Sequence, residues 1–226
     1  MSFKFGFICA AALAFFTTVA EAATYQFNIN TSSLAGTSGY LDFQFGNSSF
    51  GPFQEVTATI STFQGGGGTL ANIDPYTSTD QFGFPDVLGK VFGTLPAAVT
   101  LDDNGSVSVT EYFHPFTFGN SISFLLTLGG PAVDAPLCAG FGGCDLHAFG
   151  IGILDGGENY LFTTDPNAFL LGGVQVNRNG TLTSYLNPGA ASALAITAVP
   201  EPVTLTLFSA GLIGVGALRR KKAARA

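Results

Sequence analysis

The chain reads as an all-β protein, an antiparallel two-sheet sandwich of jelly-roll type, and three observations support that class. Short segments of alternating apolar and polar residues recur along residues 23–198, the period of a strand with one buried face. The composition holds 23 Phe, 30 Gly and no Trp, with abundant Thr, Ser and Asn, which favours pleated strands and turns over helices. No amphipathic helical stretch separates the segments, so two sheets must bury their apolar faces against each other. Ten to twelve strands are expected.

Taken in order, Tyr25, Phe27 and Ile29 alternate with Gln26, Asn28 and Asn30 as an opening strand. Leu41, Phe43 and Phe45 form the second, and Val56, Ala58 and Ile60 the third. Gly65 to Gly68 break the pattern, and Asp74-Pro75 and Phe84-Pro85 mark a loop-rich stretch up to Lys90. Val99–Leu101 and Val107–Phe113 are strands, with Asp102-Asp103-Asn104-Gly105 reading as the hairpin turn between them. Ser121 to Leu128 is the most hydrophobic interior run and is expected at a sheet centre. Phe149, Ile151 and Ile153 define a further strand, followed by short strands at Tyr160–Phe162 and Ala168–Leu171. Val174–Arg178 and Thr181–Tyr185 flank Asn179-Gly180, which predicts a two-residue type I′ hairpin. Leu194–Thr197 closes the domain.

Both ends depart from this pattern. Lys4 precedes an apolar run from Phe5 to Val19, and Ala20-Glu21-Ala22 has the small-x-small form of a signal-peptidase site. Residues 1–22 therefore read as a signal peptide with Ala20 and Ala22 as its cleavage-site residues, the mature chain starting at Ala23 or Thr24, and the exported domain spans 23–198. At the other end, Val199-Pro200-Glu201-Pro202 interrupts any regular ladder. Residues 203–218 then carry no charge, and Arg219-Arg220-Lys221-Lys222 and Arg225 follow. A basic cluster after an apolar run is held at the cytoplasmic face of a bilayer. Breaker, single transmembrane helix over 203–218 and basic stop over 219–226 act together.

This tail resembles the PEP-CTERM sorting signal of Gram-negative bacteria, with Val199, Pro200, Glu201 and Pro202 as its core and Arg219 and Arg220 closing the helix. The resemblance implies an exosortase as processing enzyme, export through the general secretion machinery and an inner-membrane intermediate. It further implies delivery to the cell surface or into an extracellular polysaccharide matrix. The body is similar to small uncharacterised families of PEP-CTERM exoproteins through Phe118-Gly-Asn-Ser-Ile-Ser-Phe-Leu-Leu126 and Leu161-Phe-Thr-Thr-Asp-Pro166.

With both signals set aside, Lys90 and Arg178 face 13 acids, a net charge of −11. Such a body has no electrostatic footprint for nucleic acid and is kept soluble by its charge. Cys138 and Cys144 stand with five residues between them in a glycine-rich loop, the arrangement of a disulfide in an oxidising compartment. Asp102, Asp103 and Asn104, and Asp155 with Glu158, are the candidates for oxygen ligands to calcium. His114 and His147 are the only histidines, and no Gly-x-Ser-x-Gly elbow occurs. Glu111, Asp145, Asp155 and Glu158 are scattered along the chain rather than paired for glycoside chemistry. The expectation is a non-enzymatic surface or matrix protein without a resident cofactor. The alternative is a calcium-assisted carbohydrate-binding module stacking sugars on Tyr40, Tyr76, Tyr112, Tyr160 and Tyr185; a secreted hydrolase stands behind both.

Overall fold

In a computed structural model, thirteen strands form two antiparallel sheets that meet over an aromatic interior. The described residues are 23–47, 53–72, 74–79, 85–105, 107–136, 145–164 and 169–199. In chain order the strands are β1 (Ala23–Asn30), β2 (Ser38–Asn47), β3 (Val56–Gln64), β4 (Thr69–Leu70), β5 (Val87–Leu88), β6 (Lys90–Phe92) and β7 (Val99–Asp103). They continue as β8 (Val109–Thr117), β9 (Ser121–Gly129), β10 (His147–Asp155), β11 (Gly172–Val176), β12 (Leu182–Leu186) and β13 (Leu194–Val199). One helical turn, α1 (Pro131–Asp134), follows β9.

The first sheet runs β13-β1-β9-β3-β7-β6, and the second β12-β11-β10-β2-β8-β4 with β5 also on β8. Three antiparallel pairs are nested in the chain: β3 with β7, β2 with β8, and β1 with β9. The outer and inner pairs lie in the first sheet and the middle pair in the second, so the long double ribbon is wound across both layers. β10 adds to the free edge of β2, the β11–β12 hairpin extends it, and β13 returns to β1.

The period-2 pattern decides which side chains enter the interior. Along β9, Ile122, Phe124, Leu126 and Leu128 are buried while Ser121, Ser123 and Thr127 face outward. Phe27 stacks on its cross-strand neighbour Phe124 at 4.7 Å. From the second sheet Phe43 meets Phe124 edge-on at 5.5 Å, and Phe149 meets Phe27 edge-on at 5.8 Å. These four fully buried rings interlock the layers; burying each side chain contributes about 1.5–3 kcal/mol, and each ring pair about 0.5–1.5 kcal/mol more. On the outer face of the first sheet, Thr24 and Thr127 are hydroxyl-bonded at 3.2 Å, and Thr59 and Thr100 at 3.0 Å. Such cross-strand pairs fasten a polar surface at small energetic gain.

The structure corrects several local expectations. Asp102–Gly105 is no hairpin turn: β7 belongs to the first sheet and β8 to the second, so this segment crosses between layers. The strand after it starts at Val109 rather than Val107 and runs through Pro115 to Thr117. The β11–β12 turn is a three-residue loop over Arg178, Asn179 and Gly180. Gly180 N–H donates to the carbonyl of Asn177, Asn177 N–H donates to Thr181, and only Gly180 has positive φ (80°). That is a type I turn closed by a glycine bulge, not a type I′ pair. Tyr160–Phe162 is not a strand: Tyr160 makes one isolated bridge to Leu154, and Phe162 has φ 61°. Phe169–Leu171 is irregular and Ala168 lies outside the described residues. No helix among the described residues is long and apolar enough to cross a membrane. The expected span over 203–218 and the expected signal peptide over 1–22 lie outside them.

Candidate functional site

The sorting tail begins where β13 ends. β13 is the edge strand of the first sheet and pairs only with β1, Thr24 standing opposite Val199. Its burial falls along its length, from Leu194 (buried) to Val199, which is 40% exposed. The described ladder ends at the exposed Val199, and Pro200, next in the sequence, has no N–H with which to extend a ladder. Because β1 and β13 are antiparallel, Ala23 and Thr24, the first residues after the expected signal cleavage, lie at the same corner. Neighbouring Cα atoms across such a pair are about 4.5–5.5 Å apart. Pro200, Glu201, Pro202, Arg219 and Arg220 lie outside the described residues, as do Ala20 and Ala22 and the proposed disulfide partners Cys138 and Cys144.

The calcium candidates do not converge. Asp102 and Asp103 are adjacent on β7 and point to opposite faces. Asp102 Oδ2 is held by Lys90 Nζ at 2.8 Å. Asp103 Oδ2 accepts from His147 Nδ1 at 2.8 Å, and its Oδ1 accepts from Asn47 Nδ2 at 3.0 Å and Gly105 N–H at 3.3 Å. Asn104 lines a shallow cleft of about 410 Å³ with Asn47, Phe53, Ser108 and Asp145. Among the described lining residues Asp145 is the one carboxylate. Asp155 Oδ1 accepts from the backbone N–H groups of Gly157 (2.8 Å) and Asn159 (2.9 Å), closing the turn after β10, and these bonds hold its carboxyl below the usual range. Glu158 sits in the same turn with φ 59°. Among the described residues no group of three or more His, Cys, Asp or Glu side chains is placed to hold a metal ion.

The five tyrosines form no common platform. Tyr112 is fully buried, Tyr40 stacks on Phe113 at 4.7 Å, and Tyr185 packs over Gly150. Tyr76 is 47% exposed and donates to the Gly93 carbonyl at 2.6 Å, away from Tyr160 on the second sheet's outer face.

Three buried polar clusters were not legible in the sequence. At the tail-bearing end, Asp103 of the first sheet and His147 of the second are 2% and 0% exposed and join the layers. His147 Nδ1 donates to Asp103, and its buried Nε2 has no hydrogen-bond partner among the described residues, the ring lying against Phe45 and Phe53. In the interior, Leu95 N–H donates to Tyr112 Oη at 3.1 Å, and Tyr112 Oη lies 3.0 Å from His114 Nδ1. His114 Nε2 lies 3.2 Å from the Ala71 carbonyl and therefore carries the proton, leaving Nδ1 to accept from Tyr112. Burial pushes the His114 pKa down, keeping the ring neutral.

The third cluster lies on the outer face of the second sheet. Asp42 Oδ2 accepts from Tyr160 Oη at 2.7 Å and from Gln44 Nε2 at 2.7 Å, and the same Gln44 nitrogen lies 3.3 Å from Glu111 Oε1. Asp42 is fully buried, and its Oδ1 has no hydrogen-bond partner among the described residues. Burial first, then the neighbouring Glu111, holds the Asp42 carboxyl well above the carboxylate range, against the lowering effect of the Tyr160 and Gln44 bonds. The Tyr160 phenol is raised by its own burial and by Asp42. A clue existed: Gly150 and Gly152 alternate with Phe149, Ile151 and Ile153, so one face of β10 lacks side chains. A Cβ on Gly152 would come within 2.7 Å of the Tyr160 ring, and one on Gly150 within 2.4 Å of Leu170.

Compared with known proteins, the chain matches the family model described as the PEP-CTERM protein-sorting motif over residues 198–221. Neither the curated proteins nor the solved structures contain a match to it. The motif implies an exported protein that passes through the membrane toward the cell surface with an exosortase as its processing partner.

Proposed function

We propose that this chain is a non-enzymatic surface or matrix protein: a β-sandwich delivered by its C-terminal sorting motif to act structurally or adhesively in the cell envelope or an extracellular polysaccharide layer. The sorting motif carries this reading, beginning one residue inside β13 and continuing from the exposed end of an edge strand. That geometry supports it physically. A cut beyond Val199 leaves every described position of the β1–β13 ladder intact. The body contributes an acidic surface; Asp103 with His147, His114 with Tyr112 and Asp42 with Tyr160 are paired within the protein, while the buried Asp145 lines the cleft beside Asn104.

Deleting residues 200–226 tests the reading in the native host. The truncated chain is expected to lose surface delivery, and intact-mass measurement of the wild-type surface fraction is expected to show loss of residues after Val199. Unchanged delivery of the truncated chain, or a surface fraction retaining Arg219 and Arg220, would overturn it.

A further inference from the structure

Two acids meet on the outer face of the second sheet, and among the described residues no cation separates them. Gln44 stands opposite Glu111 in the β2–β8 register, and Asp42 stands opposite Gly152 in the β2–β10 register. One amide nitrogen, Gln44 Nε2, reaches both carboxyls, at 2.7 and 3.3 Å. The folded body has only two bases. Lys90 is committed to Asp102 on the other sheet, and Arg178 lies in the β11–β12 turn. Among the described residues, the titratable groups facing Asp42 are Glu111 from β8 and Tyr160 from the segment returning after β10; β10 itself presents glycine there.

We propose that the Asp42–Glu111 pair holds one proton between its two carboxyls and, through Tyr160, latches residues 156–164 onto the outer face of the second sheet, the latch opening when that proton is lost to solvent.

Chemical balance requires this arrangement. Two carboxylates this close, one of them fully buried, cannot both stay ionised without a neutralising partner. Among the described residues no cation is supplied, and the direct donors to Asp42, the Gln44 amide and the Tyr160 hydroxyl, are neutral. A proton is the remaining neutraliser. The raised affinity of Asp42 for a proton agrees with the geometry. The cover over Asp42 is the Tyr160 ring, seated above Gly152 and packed on Phe169 at 5.3 Å. Once both acids ionise, Asp42 gains most by recovering water. The ties that opening must loosen include the Tyr160 bridge to Leu154, Leu161 N–H to the Ile153 carbonyl, Thr164 N–H to the Pro188 carbonyl and the Asp155 turn.

Amide hydrogen exchange over residues 156–164, corrected for the chemical rate, tests the latch between about pH 6 and about pH 9, a range that spans raised carboxyl pKa values. Protection in the wild type is expected to fall by about tenfold or more, one pKa unit of differential protonation. In Asp42→Asn, whose amide stays neutral, protection is expected to remain flat. Glu111→Gln removes the repulsion but leaves Asp42 buried, so the fall should persist and move to lower pH; a fall at the wild-type pH in this variant overturns the latch even if Asp42→Asn does not fold. No fall in the wild type, or an equal fall in folded Asp42→Asn, overturns the latch. Protection within β9 serves as the internal reference, because an equal loss there reports global unfolding and also overturns it.

Discussion

The interior between the sheets and the outer face of the second sheet are both buried, but by opposite means. Between the sheets, Phe27, Phe43, Phe124 and Phe149 exclude water by area and ring geometry. On the outer face, Asp42 is equally inaccessible, yet it is covered by a single tyrosine and shares its site with another acid. Apolar burial is indifferent to pH, whereas polar burial lasts only while charge is neutralised. The same sheet is therefore permanent on one face and conditional on the other.

The largest expected effect breaks the permanent side. Phe124→Ala removes a ring packed against Phe27, Phe43 and Phe149, and should cost about 3–5 kcal/mol in a urea melt. A loss below about 1 kcal/mol would show that the layers do not interlock through these rings. Next comes Tyr112→Phe, which leaves Leu95 N–H and His114 Nδ1 unmet inside the protein; about 1–3 kcal/mol is expected by the same measurement. Tyr160→Phe removes one hydroxyl from the conditional side and should cost about 0.5–1.5 kcal/mol near neutral pH. An equal loss from Tyr112→Phe and Tyr160→Phe would erase the distinction between the two faces. Phe92→Thr, on an edge strand and 53% exposed, should change stability by no more than about 0.5 kcal/mol.

The two faces also respond to pH with opposite signs. His114 is kept neutral in the fold, its pKa below that of the unfolded chain. The unfolded state therefore binds more protons, so this contribution is present above the unfolded pKa of about 6.5 and is lost as pH falls below it. Asp42 has a raised folded pKa, so its contribution is present below the unfolded carboxyl value and is lost as pH rises through the folded one. His114→Gln should flatten the acid limb of a stability–pH curve and Asp42→Asn the alkaline limb. Melts of both variants across the range check the assignment, and exchanged limbs would refute it.

Much of the fold was legible because period-2 alternation is local. Each long strand, from Tyr25 to Leu194, was visible from its own residues. The misreadings share a physical cause. Asp102-Asp103-Asn104-Gly105 has ordinary turn chemistry, and nothing within four residues tells whether the chain folds back or crosses to another layer. At Asn179-Gly180 the motif was right, but the bulge was set by pairing of Asn177 with Thr181. Tyr160 looked like a strand residue because its apolar neighbours, Leu161 and Phe162, mimic one.

Sequence alone determined that the body is built of strands, that it is strongly acidic, and that it ends in breaker, apolar run and basic stop. These are properties of adjacent residues, set by backbone sterics and side-chain transfer to lipid. Which acids meet was decided by tertiary structure. Asp42 reaches Tyr160, 118 residues away, and Asp103 reaches His147, 44 residues away. Such contacts depend on strand register and on which layer each strand joins. Both are fixed by how the nested ribbon winds its aromatic faces together, beyond the reach of any local pattern.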